Sequence, residues 1–427
     1  MQPPLPDIRL HDRPTSRAQG RGLRIAIVGC GPAGLAAALL LERQGHALTL
    51  LERFDAPQPV GSGIMVQPTG LAVLRELGLA SNVQSLGCRI DRIRGLTSPR
   101  RKVVLDVSYA ALGTDYHGIG IHRGALFDVL YRQVLSAGLP ILSSTDVVDV
   151  DTTGDTAWTI DAAGSRHGPF DLVVDASGAR SPLRTRSVGP PRSRELRYGA
   201  LWGTLPWPGG PFDASQLEQR YVGAHTMIGV LPVGRLPGLD HDSAAFFWSI
   251  RTADVGAWEE AGLDAWKEAV RNVWPETDVL LNHIADAGQM TLARYGHATM
   301  RRPWGDRLVF IGDAAHATSP QLGQGANMAL LDAWSLATAL ASETSLRRAI
   351  ESYARARRWH VRAFQLSSLA MTPFYQSDSR VLAALRDLLF DPVSKLPVAR
   401  RIVAGLISGL LAGPPAGLDY KPVTPAT

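Results

Sequence analysis

The run "LRIAIVGCGPAGLAAALLLERQGHALTLLER", from Leu23 to Arg53, constrains the fold more than any other part of this chain. Ile25, Ile27 and Val28 make a short β-rich segment that Gly29 ends. An Ala- and Leu-rich helix is predicted from about Pro32 to Gly45, and a second apolar run, Leu48 to Leu51, ends on Glu52. Two parallel strands joined by a helix require a sheet covered on both faces. In Gly29-x-Gly31-x-x-Gly34 the first glycine makes the tight turn and the second lets backbone approach a pyrophosphate. The third lets helix and strand pack closely. Pro32 and Ala33 open the helix, whose N-terminal N–H groups face the phosphates. Glu52 stands about 20 residues after the turn, where an acid binds ribose hydroxyls, and Arg53 follows it. The motif does not separate NAD from FAD.

A second glycine turn makes that distinction. "FIGDAAHATSPQLGQGANMALLDA" runs from Phe310 to Ala333. Gly312 ends a buried strand, and Asp313 at its carboxyl edge can accept hydrogen bonds from a sugar-alcohol chain. Gly323 and Gly325 let backbone come close to a flat ring. The helix from Ala326 onward aims its N-terminus there, which favours the negative charge of a reduced flavin. His316 reads as a packed structural histidine.

The remaining chain adds organisation. The excess of 44 Lys and Arg over 39 Asp and Glu suits an anionic ligand or surface. With no basic block and no aromatic–basic interleaving, nucleic acid is not expected. Cys30 and Cys88 give neither a disulfide framework nor metal-ligand spacing, so no metal is assigned, and a cytoplasmic setting follows. Residues 1–22 read as a disordered lead-in. From Ile141 to Val174 short strands broken at Gly154 and Gly164 predict a β-meander, and Thr69 is the expected cap of a short helix. From about Arg192 to Met300, Trp- and Phe-bearing runs between Pro-Gly turns predict an antiparallel sheet, with a helix near Asp264 to Val273. Helices dominate the C-terminal end. "IVAGLISGLLAG", Ile402 to Gly413, is too short to span a membrane and reads as a packed terminal helix, with peripheral membrane contact as the second reading.

These motifs resemble one family, the FAD-dependent class A monooxygenases, which include aromatic and ubiquinone-pathway hydroxylases. "GCGPAG…LLER", "GSGIMVQPTGLAVLRELGL", "IHRGALFDVL" and "GDAAHATSPQLGQGANMALLDA" occur in that family's order, and "TPFYQSDSRVLAALRDLLF" is similar to the ubiquinone-type C-terminal region. The resemblance implies an α/β fold: a Rossmann-type FAD-binding domain with an inserted, mostly antiparallel substrate sheet and C-terminal helices. The boundaries are 23–190 and 301–365 for the FAD-binding domain, 191–300 for the substrate sheet and 366–427 for the helices. It further implies that Glu52 holds the adenosine ribose, Arg123 the FAD phosphates and Asp313 the ribityl–pyrophosphate region. Pro320 to Asn327 would line the isoalloxazine ring, with Pro320, Leu322 and Gly323 as its catalytic environment.

The implied reaction is reduction of FAD by NAD(P)H, then formation with molecular oxygen of a flavin C4a-hydroperoxide that oxygenates an apolar or aromatic small molecule. One departure concerns "DASG": Ser177 stands before Gly178 where the family carries an acid, which weakens the case for direct reduction by NAD(P)H, while Arg180 and Arg184 remain. Trp202, Tyr221, Met227 and Phe247, with Tyr198 and Trp248, are candidate substrate liners; strand alternation predicts that about half of them face elsewhere. The competing readings are another FAD oxidoreductase of this fold, such as a double-bond reductase or dehydrogenase, and a non-enzymatic FAD-fold carrier. Oligomeric state is not legible in the sequence.

Overall fold

A computed structural model describes residues 8–9, 22–56, 61–189 and 192–422. Of the lead-in only Ile8–Arg9 and Gly22 are among the described residues, and Ile8–Arg9 is a short strand parallel to Arg166–Phe170 rather than disordered chain.

The central sheet has six strands, in the order Trp304–Gly305, Leu308–Phe310, Leu172–Asp175, Arg24–Val28, Ala47–Leu51 and Ile141–Leu142. All neighbours are parallel except the Trp304–Gly305 edge. Alternation along Arg24–Val28 explains the two covers. Ile25 and Ile27 pack with the helices Pro32–Glu42, Arg123–Ser136 and Gly325–Ser342. Ala26 and Val28 turn the other way, onto the meander of Val147–Asp151, Ala157–Asp161 and Arg166–Phe170. The helix Pro32–Glu42 buries Ala33 to Leu41 without interruption, so its apolar surface runs all round. Each enclosed leucine there contributes about 1.5–3 kcal/mol.

The chain leaves Arg24–Val28 toward Ala47–Leu51 on one side and returns through Leu172–Asp175 on the other. That reversal of strand order opens a crevice beyond the strands' carboxyl ends, where open α/β sheets bind ligands.

The second large sheet has seven strands, in the order Thr291–Ala293, Tyr198–Pro206, Asp242–Arg251, Thr226–Arg235, Gln216–Val222, Arg92–Thr97 and Val103–Ser108. It is therefore not contained within 191–300: Arg92–Thr97 joins it in parallel with Gln216–Val222. Arg92–Thr97 and Val103–Ser108 form a local hairpin, but the strand that recruits it, Gln216–Val222, lies over 100 residues away, so no local signal assigns the hairpin to this sheet. One face packs on the helix Val255–Val273 through Phe246, Trp266 and Trp274. The other faces the cofactor-side strand Gly63–Val66 and the C-terminal helices.

Two local expectations differ in detail. The helix Pro68–Glu76 starts with Pro68 at its first position, so Thr69 is not the cap. Proline is preset for that position, and the Thr69 hydroxyl instead donates to the Ser408 carbonyl at 3.3 Å. The terminal helix is Pro397–Ile407, shorter and earlier than Ile402 to Gly413.

Candidate FAD site

Two glycine turns separated by nearly 280 residues meet at the crevice. Gly29 has φ +99°, and a Cβ there would stand 2.8 Å from the Ala176 carbonyl oxygen. A Cβ on Gly34 would stand 2.0 Å from the Gly29 carbonyl oxygen, which is the close helix–strand approach that the third glycine permits. Gly31 has nothing within 4 Å of a Cβ position, so this turn presents bare backbone. Gly312, φ +60°, closes against the same helix: its Cβ position lies 3.0 Å from Ala33 Cβ. Glu52 is buried beside the first turn, where one carboxylate oxygen accepts the Cys30 N–H at 2.8 Å and the other the Phe54 N–H at 3.2 Å. Burial and this carboxylate push the Cys30 thiol up to about 12, so it stays protonated. Arg53 is exposed, its guanidinium 4.6 Å from the Phe54 ring centroid.

The turn after Phe310 is held by side chains that sequence reasoning missed. Asp332, fully buried on the helix Gly325–Ser342, accepts the Gly312 N–H at 2.8 Å and bonds His316 Nε2 at 2.5 Å. Its other oxygen accepts Arg357 Nε at 2.6 Å. Arg357 Nη1 lies 2.9 Å from His360 Nδ1, and His360 Nε2 lies 2.9 Å from the Gly409 carbonyl. A guanidinium only donates, so Nδ1 accepts and the imidazole is neutral, with its proton on Nε2. His316 thus has the structural role expected of it.

Arg184 grips the same turn from the opposite side. Its guanidinium donates to the carbonyls of Asp313 at 2.5 Å, Ala314 at 2.8 Å and Ala179 at 2.7 Å. The Asp313 carboxylate, half-buried, accepts no protein hydrogen bond among the described residues. In the "DASG" run, Ser177 Oγ donates to Asp175 at 2.6 Å, and Ser181 Oγ donates to its other oxygen. Asp175 is fully buried, and burial raises its pKa, so this acid is directed into the protein rather than toward the crevice.

Asn327 is buried with its amide fully engaged by protein. Its Oδ1 accepts the Gln67 N–H at 2.8 Å, and Nδ2 donates to the Met65 and Gly323 carbonyls, each at 3.0 Å. It positions the strand Gly63–Val66 against the Gly323 turn. Pro320 to Leu322 form one 3-10 turn, Gly323 follows in the left-handed region at φ +60°, and Gly325 and Ala326 open the helix. Arg123, at the first position of its helix, is exposed and lies beside Gly61. His122 accepts the Gly124 N–H at 3.0 Å as that helix's cap; burial and then Arg123's charge keep its pKa below the ordinary value.

Three observations test whether these residues suit a flavin nucleotide. Neither the Pro32 helix nor the Gly325 helix has a side-chain cap or an acid in its first turn, so both N-termini present N–H groups and a positive dipole end. Gly31 and Gly325 both leave open space where a Cβ would stand. Gln67 is completely buried with Nε2 unpartnered, although Tyr109 Oη fixes its Oε1 at 2.5 Å, and Nε2 lies 3.8 Å from the Gly323 Cβ position. An orphaned buried donor beside that turn suits a group with ring nitrogens and carbonyl acceptors. The residues fit.

Of the liner candidates, Trp202, Tyr221, Met227 and Phe247 share the sheet face turned away from the Val255–Val273 helix. The Ser62–Thr204 hydroxyl contact of 3.0 Å ties that face to the cofactor-side segment. Trp248 is on the opposite face, against Trp266 at 6.3 Å, because side chains alternate along Asp242–Arg251. Tyr198 sits six residues, about 20 Å, from Thr204 along the strand, and its hydroxyl donates to Asp378. Tyr221, Met227 and Phe247 are packed with Val104 and Tyr375 as core. Trp202 is half-buried, 4.5 Å from Phe247, and donates Nε1–H to Tyr295 Oη at 2.8 Å. Tyr295 was not anticipated; burial pushes its phenol up to about 12.

This is an α/β fold whose mostly parallel sheet is covered by helices on one face and a β-meander on the other. A crevice lies at the strands' carboxyl ends, and a second sheet is tied to it through Ser62 and Thr204. Residues 23–366 match the family described as FAD binding domain, and the chain belongs to it. Aurachin C monooxygenase/isomerase of Stigmatella aurantiaca is 27% identical over 382 residues, covering 87% of this chain and 95% of that protein. 3-Hydroxybenzoate 6-hydroxylase of Klebsiella oxytoca is 27% identical over 331 residues, covering 75% and 80%. The structure of Klebsiella pneumoniae HpxO complexed with FAD and uric acid superposes with a TM-score of 0.79 at 20% identity, over 92% of this chain and 97% of that one. The protein is an FAD-dependent oxidoreductase of the monooxygenase class.

Proposed function

We propose that the protein inserts one oxygen atom from O2 into an apolar or aromatic small molecule, with NAD(P)H supplying two electrons and the second oxygen atom leaving as water. The observation that carries this reading is the placement of Trp202 and Phe247 on the sheet face tied to the cofactor side through Ser62 and Thr204. FAD, when bound, supplies electron storage and oxygen activation.

The chain's own residues divide the remaining work. Glu52 would hold the adenosine ribose, Arg123 the phosphates and Asp313 the ribityl chain. The N–H groups at Gly325 and Ala326 would favour negative charge on the reduced ring. Trp202, backed by buried Phe247, would receive the substrate's flat surface and keep water away from it. With Asp175 turned inward, exposed Arg180 is the residue of this loop that could meet an anionic nicotinamide cofactor. The functional division follows 23–190 with 301–365, 191–300 and 366–427, the substrate sheet also including Arg92–Ser108.

The test is anaerobic mixing of the yellow holoprotein with NADPH or NADH in the presence of phenolic and quinolone-like compounds, followed by admission of 18O2. Flavin bleaching and one labelled oxygen atom in the product are expected. Bleaching with an unlabelled, two-electron-reduced product would replace this reading with a reductase.

A further inference from the structure

We infer that the C-terminal helices form a docking face for an anionic lipid surface. The helix Arg380–Ser394 packs Ala383 and Phe390 inward, Phe390 lying 5.3 Å from the Phe374 ring, yet leaves a second apolar stripe on its outer side. Its buried side carries Arg386, fully enclosed, whose guanidinium donates to the Phe374 carbonyl at 2.9 Å and lies 5.1 Å from the Tyr221 ring centroid. Its outer side carries Val381, Leu385, Leu388, Leu389 and Val393, at helical spacing on one face. Val381 is 76% exposed and Leu388 68%. The outer side of a surface helix on a monomer in water is ordinarily polar. The apolar run continues through Leu396 and Val398, the latter 72% exposed, into the helix Pro397–Ile407.

Charge identifies the occupant. Residues 346–411 hold eleven Lys and Arg against four Asp and Glu, a net +7, which leaves 33 against 35, a net −2, for the rest of the chain. The positive charge of the whole protein therefore resides in the segment with the exposed leucines. Arg357 and Arg386 are buried and neutralised by Asp332 and Asp387. Of the other acids, Glu351 meets Arg347, Asp391 meets Lys395, and Asp378 is engaged by Arg251. Arg355 and Arg358 are exposed on the helix Leu346–Tyr375, and Arg400 and Arg401 on the helix Pro397–Ile407, which also carries exposed Val398 and Ile402. On the helix Leu346–Tyr375, exposed Trp359 lies between Arg358 and Arg362, whose guanidiniums are 5.5 and 5.6 Å from its ring.

Leucines to enter the acyl boundary, a tryptophan for the headgroup level and a basic rim for anionic lipid are the components of an interfacial helix. None of the helices among the described residues is long and apolar enough to cross a membrane, so the contact is peripheral. A second copy of the chain is the poorer occupant, because a two-fold contact would set this basic rim against itself.

The experiment is sedimentation of the full-length, FAD-loaded protein with vesicles of phosphatidylcholine alone or with phosphatidylglycerol. Binding to the anionic vesicles, weakened by salt, is expected. Arg400→Ala with Arg401→Ala should weaken it about 25-fold, about fivefold per charge. Leu388→Glu with Val398→Glu should abolish it with flavin content unchanged; should that pair fail to fold, the arginine pair still decides. Equal binding to both vesicle types, or none, overturns the proposal. So does a dimer that the glutamate pair splits into monomers without vesicle binding at any stage. The inference is independent of the reaction assigned above.

Discussion

The Asp332 carboxylate reaches across from the middle of its helix to accept the Gly312 N–H at 2.8 Å, and so fixes the turn that carries Asp313. Its charge is balanced by Arg357 at 2.6 Å and His316 at 2.5 Å, all three being buried. Burial alone would raise the Asp332 pKa, but the His316 and Arg357 charges outweigh it and hold it below the ordinary value. Removing one member of such a set leaves an uncompensated buried charge. Asp332→Asn should therefore cost about 3–5 kcal/mol in urea unfolding and release FAD more readily. A loss below about 1 kcal/mol would show that the network does not hold the turn.

The same network makes stability depend on pH. Burial, then the Arg357 charge, lowers the His360 pKa from 6.5 to about 4. The unfolded chain binds this proton below pH 6.5 and the folded chain does not, so the contribution is complete above 6.5. It falls by about 1.4 kcal/mol per pH unit between there and about 4. Unfolding of the wild type and His360→Gln between pH 7 and 4.5 measures this: the wild type's advantage should shrink on acidification. A pH-independent difference would place the titration elsewhere.

Asp313→Ala should leave the fold intact, because Arg184 holds that residue's carbonyl and not its carboxylate. Loss of a charge-assisted hydrogen bond to the ribityl region predicts about 10–100-fold weaker FAD binding. Equilibrium dialysis of FAD against the apoprotein reads it, and unchanged affinity would remove Asp313 from the cofactor site.

Gln67 is tested together with its partner. Gln67→Leu with Tyr109→Phe removes both ends of the 2.5 Å bond, a nearly neutral change for the apoprotein. If Nε2 is a donor to the flavin, FAD affinity should fall about tenfold and the flavin absorption bands should shift. A variant with wild-type affinity and spectrum would make the orphaned amide a packing feature only.

The parts legible in the sequence are those whose physics is local. Gly29 to Gly34 announces a strand, a tight turn and a helix, because only glycine takes φ +99° there without strain and only glycine lets the Gly34 backbone reach the Gly29 carbonyl. Alternation along Asp242–Arg251 likewise places neighbouring Phe247 and Trp248 on opposite faces, although Trp202, Tyr221, Met227 and Phe247 share one face, so fewer candidates turn away than the half expected.

Tertiary structure decided what depends on partners distant in sequence. Nothing near Asp332 says that it will bond Gly312, twenty residues earlier, or that Arg357 will neutralise it. Nor does any local pattern announce that the Asn327 side-chain amide will be spent on Gln67, Met65 and Gly323. The helix Arg380–Ser394 has an ordinary amphipathic pattern in sequence, and only packing shows that the arginine faces inward and the leucines outward. Backbone preference is set residue by residue, whereas the pairing of buried charges and the choice of buried face are set by the whole folded chain.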